Sequence, residues 1–224
     1  DADSHPPSAS NRPEVRDKTW DDYVDPETGL AFFTDWLRVA LAHCREDVPI
    51  YQWHASRRQG LVEQAWAANG LLWHQTIIWA KARPVLTRSH YMWAHEPCAY
   101  GWIEGNQQDP GRRPPANAPT VWSLAKAEGD YLGIHATQKP LEIFERPILY
   151  HTREDELVLE PFSGSGTQLV AAEKHGRRCR AMEQSPAFVD AAVRRGQMAS
   201  GKVATLDGDD RTFDDVAAER GSAP

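Results

Sequence analysis

The chain reads as one α/β domain built on a doubly wound, mostly parallel sheet with one antiparallel hairpin strand. Three observations predict this. Helical and strand-like patterns alternate along the chain from Leu30 onward. Val158-Leu159-Glu160-Pro161-Phe162-Ser163-Gly164-Ser165-Gly166-Thr167 is a short apolar run that ends on an acid and passes through a glycine-rich turn into a helix start. Beyond that helix, which Gly176 stops, Arg178-Cys179-Arg180-Ala181-Met182 reads as a second strand ending at Glu183. An acid at such a strand end accepts hydrogen bonds from ribose hydroxyls in nucleotide-type cofactor sites.

The 224 residues suit a single domain with a sizeable core. No apolar run reaches the roughly 18 residues of a membrane span, and no signal-peptide pattern opens the chain. Cys44, Cys98 and Cys179 stand in unrelated contexts, which argues against a disulfide framework and fits a reducing cytoplasm. His90, His95 and Cys98 match no zinc spacing, so no metal site is expected. The net charge of −7 is unevenly spread: residues 1–30 carry eight acids and three bases, and residues 206–224 six acids and two bases. The remaining span, 31–205, holds twenty bases and eighteen acids, so any nucleic-acid affinity must come from local clusters.

Taken in order, residues 1–30 are rich in Asp, Pro and Ser and read as a poorly ordered segment. Phe33, Trp36, Leu37, Ala40, Leu41 and Cys44 then recur at helical spacing. Val48 to Trp53 is a strand opening into a polar turn at His54-Ala55-Ser56, and a helix from about Arg58 to Asn69 stops at Gly70. Leu71 to Trp79 is a strand of β-favouring residues, and Met92 to Trp102 is another, interrupted at Pro97 and able to pair with it as a hairpin. Between them runs a basic loop with Lys81, Arg83 and Arg88. Residues 105–130 are a long loop carrying Arg112 and Arg113, poor in apolar residues, and such a loop inside a compact domain is functional or disordered. After Lys139-Pro140 a helix runs to about His151, with Pro147 predicting a kink or an early end. Ser185-Pro186 starts the last helix, and residues 206–224 read as an acidic, flexible tail. Of the nine tryptophans, Trp36, Trp66 and Trp79 are core candidates, whereas Trp53 and Trp93 stand near strand ends where a base could stack.

The glycine turn narrows the ligand. A Walker loop needs a lysine after its last glycine, and the dinucleotide fingerprint needs a third glycine; both are missing. What remains is the Phe-x-Gly-x-Gly turn of S-adenosylmethionine (SAM) enzymes. Thr137-Gln138-Lys139-Pro140, then Pro161-Phe162-Ser163-Gly164-Ser165-Gly166-Thr167, then Glu183-Gln184-Ser185-Pro186-Ala187-Phe188 resembles, over residues 31 to 200, the DNA N-methyltransferases that modify adenine N6 or cytosine N4. The order is that of their permuted (beta) class, in which the catalytic half precedes the cofactor half.

The resemblance implies a Rossmann-like SAM-dependent methyltransferase fold, with Lys139, Pro140, Glu160, Phe162, Gly164, Gly166, Thr167 and Glu183 binding SAM. It places Lys139 near the methionine carboxylate, and Glu160 where the family usually has aspartate. Lys81, Arg83, Arg88, Arg112 and Arg113 become DNA contacts, with 105–130 as a target-recognition loop. His95-Glu96 is similar to a pair in the family's equivalent hairpin. The expected partner is double-stranded DNA, with no membrane; a homodimer, a cognate restriction enzyme and the choice between adenine and cytosine stay open. The family's Asp-Pro-Pro-Tyr-type tetrapeptide has only His5-Pro6-Pro7-Ser8 as a counterpart in this part of the chain, which lacks both acceptor and aromatic ring. The tetrapeptide itself is expected upstream of this stretch, so no catalytic residue is assigned; the stretch by itself is expected not to methylate DNA, whereas a longer product that carries the motif should. The alternative is a module that keeps the fold and binds SAM or DNA without catalysis.

Overall fold

The computed structural model describes residues 25–85, 90–124 and 139–221. Its first element, α1 (Pro26–Leu41), begins earlier than the apolar spacing predicts. The Asp25 carboxylate accepts the Thr28 N–H at 2.9 Å, and Pro26 occupies the first turn with its φ already helical. α1 packs with α2 (Gln59–Ala68) on one face of a four-stranded sheet, where Leu37, Val62, Ala65, Trp66, Leu71 and Ala99 form a closed cluster.

That sheet runs in the order β1 (Ile50–Trp53), β3 (Trp93–Ile103), β2 (Leu71–Val85), β4 (Val121–Leu124). β3 is antiparallel to both neighbours and β4 is parallel to β2, so three strands share a direction and β3 is the hairpin strand. β2 is longer than expected and takes in Lys81 and Arg83, which are strand residues and not loop. β3 passes through Pro97 unbroken. Trp53↔Cys98 is the last β1–β3 pair, so the N–H that proline lacks falls where β1 has ended, while the Pro97 carbonyl accepts the His54 N–H at 3.1 Å. Residues 105–124 are not a structureless loop either. Gln108 is buried with its Nε2 donating to the Asp47 carbonyl at 3.0 Å, and the segment ends in β4.

On the other face, Ile77, Trp79, Cys98, Tyr100, Trp102, Trp122 and Leu124 pack against Ile143 of α3 (Glu142–His151). α3 continues through Pro147, which forfeits one backbone hydrogen bond within the helix. Its Ile148 joins a third cluster with Ala171 and Ala172 of α4 (Thr167–Lys174), against β5 (Leu157–Glu160) and β6 (Arg178–Ala181). β5 and β6 pair in parallel as a second sheet. The single central sheet expected from the sequence is therefore two hydrogen-bonded sheets among the described residues, joined through α3. α5 (Pro186–Ser200) packs beside α4. The acidic tail, expected to fray, forms α6 (Phe213–Gly221): Thr212 and Asp215 cap its start reciprocally, and Arg194 of α5 lies over the Phe213 ring.

Two predictions follow from the packing. A Cβ on Gly101 would stand 1.8 Å from the Leu72 carbonyl oxygen and 2.8 Å from the Trp66 ring. Gly101→Ala should therefore cost about 3 kcal/mol in chemical denaturation, at the upper end for overpacking, because a backbone atom has to move. The second concerns His151, whose Nδ1 donates to the Arg112 carbonyl at 2.7 Å and whose Nε2 accepts from the Tyr51 hydroxyl at 2.8 Å. Burial holds its pKa down at about 4, against the opposing pull of the Arg112 carbonyl. The unfolded chain takes up this proton near pH 6.5 and the folded one only near 4, so the contribution is complete above 6.5 and is lost as pH falls towards 4. About 3 kcal/mol should disappear across that window, and His151→Gln should flatten the slope of melting temperature against pH.

Candidate cofactor site

The parallel pairing of β5 with β6 brings both carboxyl ends to one edge, with Glu160 opposite Ala181. The ladder continues past the strands: the Met182 N–H donates to the Glu160 carbonyl at 2.9 Å and the Ser163 N–H to the Met182 carbonyl at 3.0 Å. The chain then turns through Gly164 (φ 51°) and Gly166 (φ 77°), both in the left-handed region that favours glycine. A Cβ on Gly166 would also meet Ala192 Cβ of α5 at 2.7 Å. From α5, Arg195 Nη1 donates to the Ser165 carbonyl at 2.6 Å, to Ser165 Oγ at 2.9 Å and to Thr167 Oγ1 at 3.2 Å, closing the turn from behind.

Two carboxylates, Glu183 and Glu160, stand at the turn, and a third, Glu96, is linked to them through Lys139. Glu183 accepts the Gly164 N–H through Oε2 at 2.8 Å and the Ser185 N–H through Oε1 at 2.9 Å. Both oxygens are thereby fixed, and each keeps a lone pair for a further donor. Glu160 accepts the Phe162 N–H at 2.9 Å. Burial pushes its carboxyl above the ordinary range and Glu183 adds to this, while Lys139 pulls the other way. Among the described residues no cation stands within salt-bridge distance of Glu160. Glu96 of β3 pairs with Lys81 at 2.8 Å and with Lys139 at 3.4 Å. Burial alone would raise its carboxyl, but the two lysines outweigh burial and hold it low.

Phe162 is 52% exposed, with Trp36 edge-on at 5.2 Å and Phe32 at 5.8 Å, so α1 flanks the turn with aromatic rings. Met182 is also exposed, and the Trp36 indole Nε1 is buried without a hydrogen-bond partner among the described residues. The structure thus gathers Lys139, Glu160, Phe162, Gly164, Gly166, Thr167 and Glu183 around one strand edge. Pro140 is buried, and its carbonyl accepts the Ile143 N–H to start α3.

The expected DNA contacts fare differently. Lys81 is committed to Glu96 and folds over the Trp79 ring at 5.3 Å. Arg112 is bidentate to Glu156 at 2.6 Å for each bond, and Arg113 donates to the Gln108 carbonyl at 2.6 Å. Lys81 and Arg112 are thus paired to carboxylates that lie within reach, whereas Arg113 is exposed and bonds to a carbonyl, which leaves its charge unneutralised. Arg83 is exposed on β2, and Arg88 lies outside the described residues. Trp53 packs against the core beside Trp122, whereas Trp93 is exposed at the hairpin. Sequence reasoning missed Arg195 as a brace. The signal was present: Arg195 stands one helical turn from Ala191 and Ala192, the small residues that let α5 approach the turn.

The chain matches the family model N6_N4_Mtase, described as DNA methylase, over residues 4–194, a span that takes in His5-Pro6-Pro7-Ser8. It is 32% identical over 123 residues to the type II methyltransferase M2.LlaDCHI of Lactococcus lactis subsp. cremoris, which covers 54% of this chain and 41% of that protein. It is 26% identical over 192 residues to the type II methyltransferase M2.DpnII of Streptococcus pneumoniae, covering 79% and 70%. The chain thus spans well under half the length of the first relative and about two thirds of the second. Among solved structures it resembles the PvuII DNA methyltransferase (cytosine-N4-specific), with a TM-score of 0.67, 18% identity and coverage of 85% and 76%. The M1.HpyAVI–SAM complex gives a TM-score of 0.65, 22% identity and coverage of 76% and 84%. At these identities the likeness establishes the fold, that of the SAM-dependent DNA methyltransferases.

Removing the brace tests the geometry of the turn. Arg195→Met should cost about 2 kcal/mol, since it deletes charge-assisted bonds to Ser165 and Thr167, both nearly buried. Hydrogen exchange should report faster exchange at Gly166 and Val170, whose amides hold the turn and first helical bond.

Proposed function

The chain belongs to the N6_N4_Mtase family of DNA methylases, and we propose that it transfers a methyl group from SAM to the exocyclic amine of adenine (N6) or cytosine (N4) in double-stranded DNA. One observation carries the reading: at the shared end of β5 and β6, the Glu183 carboxylate bridges the Gly164 and Ser185 amides beside a glycine turn, while Glu160 holds a desolvated carboxyl with no cation paired to it among the described residues.

The residues present fit SAM. Glu183 is fixed with lone pairs left for two ribose hydroxyls. Glu160, whose burial favours protonation, gains most from a bound cation and suits the ammonium of the methionine moiety. Lys139 offers the opposite charge for its carboxylate. Gly164 has no side chain to bar a close approach, and Phe162 and Met182 present apolar surface to a ring. When bound, SAM supplies an electrophilic methyl on a positively charged sulfur, so the protein's work is positioning and polarisation.

Adenine and cytosine amines are poor nucleophiles inside a base stack, and the target base has to be extruded to reach such a site. Exposed Arg83, Tyr91 and Trp93 on the β2–β3 hairpin suit contact with the displaced duplex by charge and stacking. Among the described residues none is assigned as acceptor of the amine proton.

Calorimetry with SAM tests the site. Glu183→Ala should weaken binding about tenfold to a hundredfold, as expected for losing charge-assisted hydrogen bonds. Gly164→Val should abolish it, because a β-branched residue disfavours that φ and fills the approach. Unchanged affinity in both variants refutes the assignment. Tritiated methyl transfer to mixed-sequence duplex DNA tests the reaction on a longer product that carries the family's tetrapeptide, since this stretch alone is expected not to transfer; SAM binding by that product without transfer to any DNA would favour a binding module.

A further inference from the structure

Glu96 lies opposite Trp79 in the β2–β3 ladder, and its carboxylate holds two lysines at once. Oε1 takes Lys81 Nζ at 2.8 Å and Oε2 takes Lys139 Nζ at 3.4 Å. The side chains of Lys81, Glu96 and Lys139 are only 16%, 28% and 28% exposed, so this is not a loose surface pair. Lys139 sits against Glu96 of β3, and its charge also acts on Cys98 in β3 and on Glu160 at the end of β5.

We propose that Glu96 is a positioning residue of the cofactor site, whose carboxylate fixes the Lys139 ammonium where the carboxylate of the cofactor's methionine moiety is received. This rests on the SAM reading above. The charge pattern supports it: one carboxylate between two ammonium groups leaves the triad with one positive charge in excess, a point that receives an anion. Glu160 beside it supplies the point that receives a cation. The two ends of a zwitterionic amino-acid group therefore each meet an opposite charge, at a fixed separation set by the two sheets.

Without Glu96, Lys139 would be a long chain free to sample many rotamers, and it would stand near a second lysine of like charge. Glu96 removes both obstacles before the ligand arrives, which is preorganisation in the usual sense.

Calorimetric titration of SAM into the whole chain as wild type, Glu96→Gln, Lys139→Met and the double variant decides the matter. Glu96→Gln keeps size and removes charge. Each single variant should weaken SAM binding about tenfold, and the double should be no weaker than Lys139→Met alone, because Glu96 acts through Lys139. In turnover by a product that also carries the family's tetrapeptide, KM for SAM should rise in Glu96→Gln with kcat nearly unchanged. Full affinity in Glu96→Gln, or a double variant whose loss is the product of the single losses, overturns the proposal, since general structural damage would add independently. A wild-type chain that binds no SAM overturns the SAM reading and this inference together. Binding that depends on Glu183 but not on Glu96 overturns this inference alone.

Discussion

The four-stranded and two-stranded sheets share no backbone hydrogen bond among the described residues, so everything at the site depends on how α3 joins them. The join is apolar along the helix and polar at its ends. Ile143 sits in the core of the larger sheet and Ile148 in that of the smaller, and Phe144 packs against both clusters. Apolar burial is strong but non-directional, so by itself it would leave the sheets free to slide. Direction comes from the C-terminal end, where His151 bonds to Tyr51 of β1 and to the Arg112 carbonyl. Arg112 in turn grips Glu156, just ahead of β5, and that carboxyl is held down at about 2 chiefly by this bond. Neighbouring Arg153 adds to the grip by donating to the Gly111 carbonyl.

At the other end of α3 the same join is made by charge. Lys139 and Pro140 lead into the helix, and Lys139 reaches Glu96 of the larger sheet while its field acts on Glu160 of the smaller. Such partly buried ion pairs contribute little net stability, because desolvation offsets most of the Coulomb attraction. Their value lies in geometry, and here they fix the separation of opposite charges across a seam that backbone bonding does not span among the described residues. The apolar core of α3 supplies the free energy, and the polar ends supply the register.

What the sequence shows clearly is whatever is encoded within a few residues. The β5 run, the glycine turn, α4 and Glu183 follow from local rules: left-handed turns want glycine, and helices start and stop on recognisable residues. The α1 start was equally local, in Asp25-Pro26-Glu27, but Gly29 and the acidic surroundings masked it. At the acidic end, composition alone hides the Thr212–Asp215 cap that starts α6. What the sequence cannot show is pairing between distant residues. Arg112 meets a carboxylate 44 residues away, and Lys81 meets one on the facing strand. From composition both look like solvated cations available to DNA; folded, their charges are committed. Pro97 misled for a related reason, since a proline breaks a strand only where a neighbour needs its N–H, and β1 has already ended there.

The proposed function gives the β2–β3 hairpin two tasks along one pair of strands, and its ladder keeps them apart. Pairing is regular through Trp79↔Glu96 and Ala80↔His95, then the register breaks before Val85↔Trp93. Glu96 therefore belongs to the rigid part, pinned by cross-strand bonds and by the core beneath Trp79 and Cys98. Arg83 and Trp93 lie at and beyond the break, where an irregular ladder yields more readily than a continuous one. Under this reading, a duplex engaging Arg83, Tyr91 and Trp93 meets the hairpin at and beyond the break in register, away from Glu96. Under the proposed function this separation has a consequence for chemistry. The substrate end of the hairpin adapts to DNA, while the cofactor end keeps Lys139 in place, so target engagement need not disturb the methyl donor's geometry.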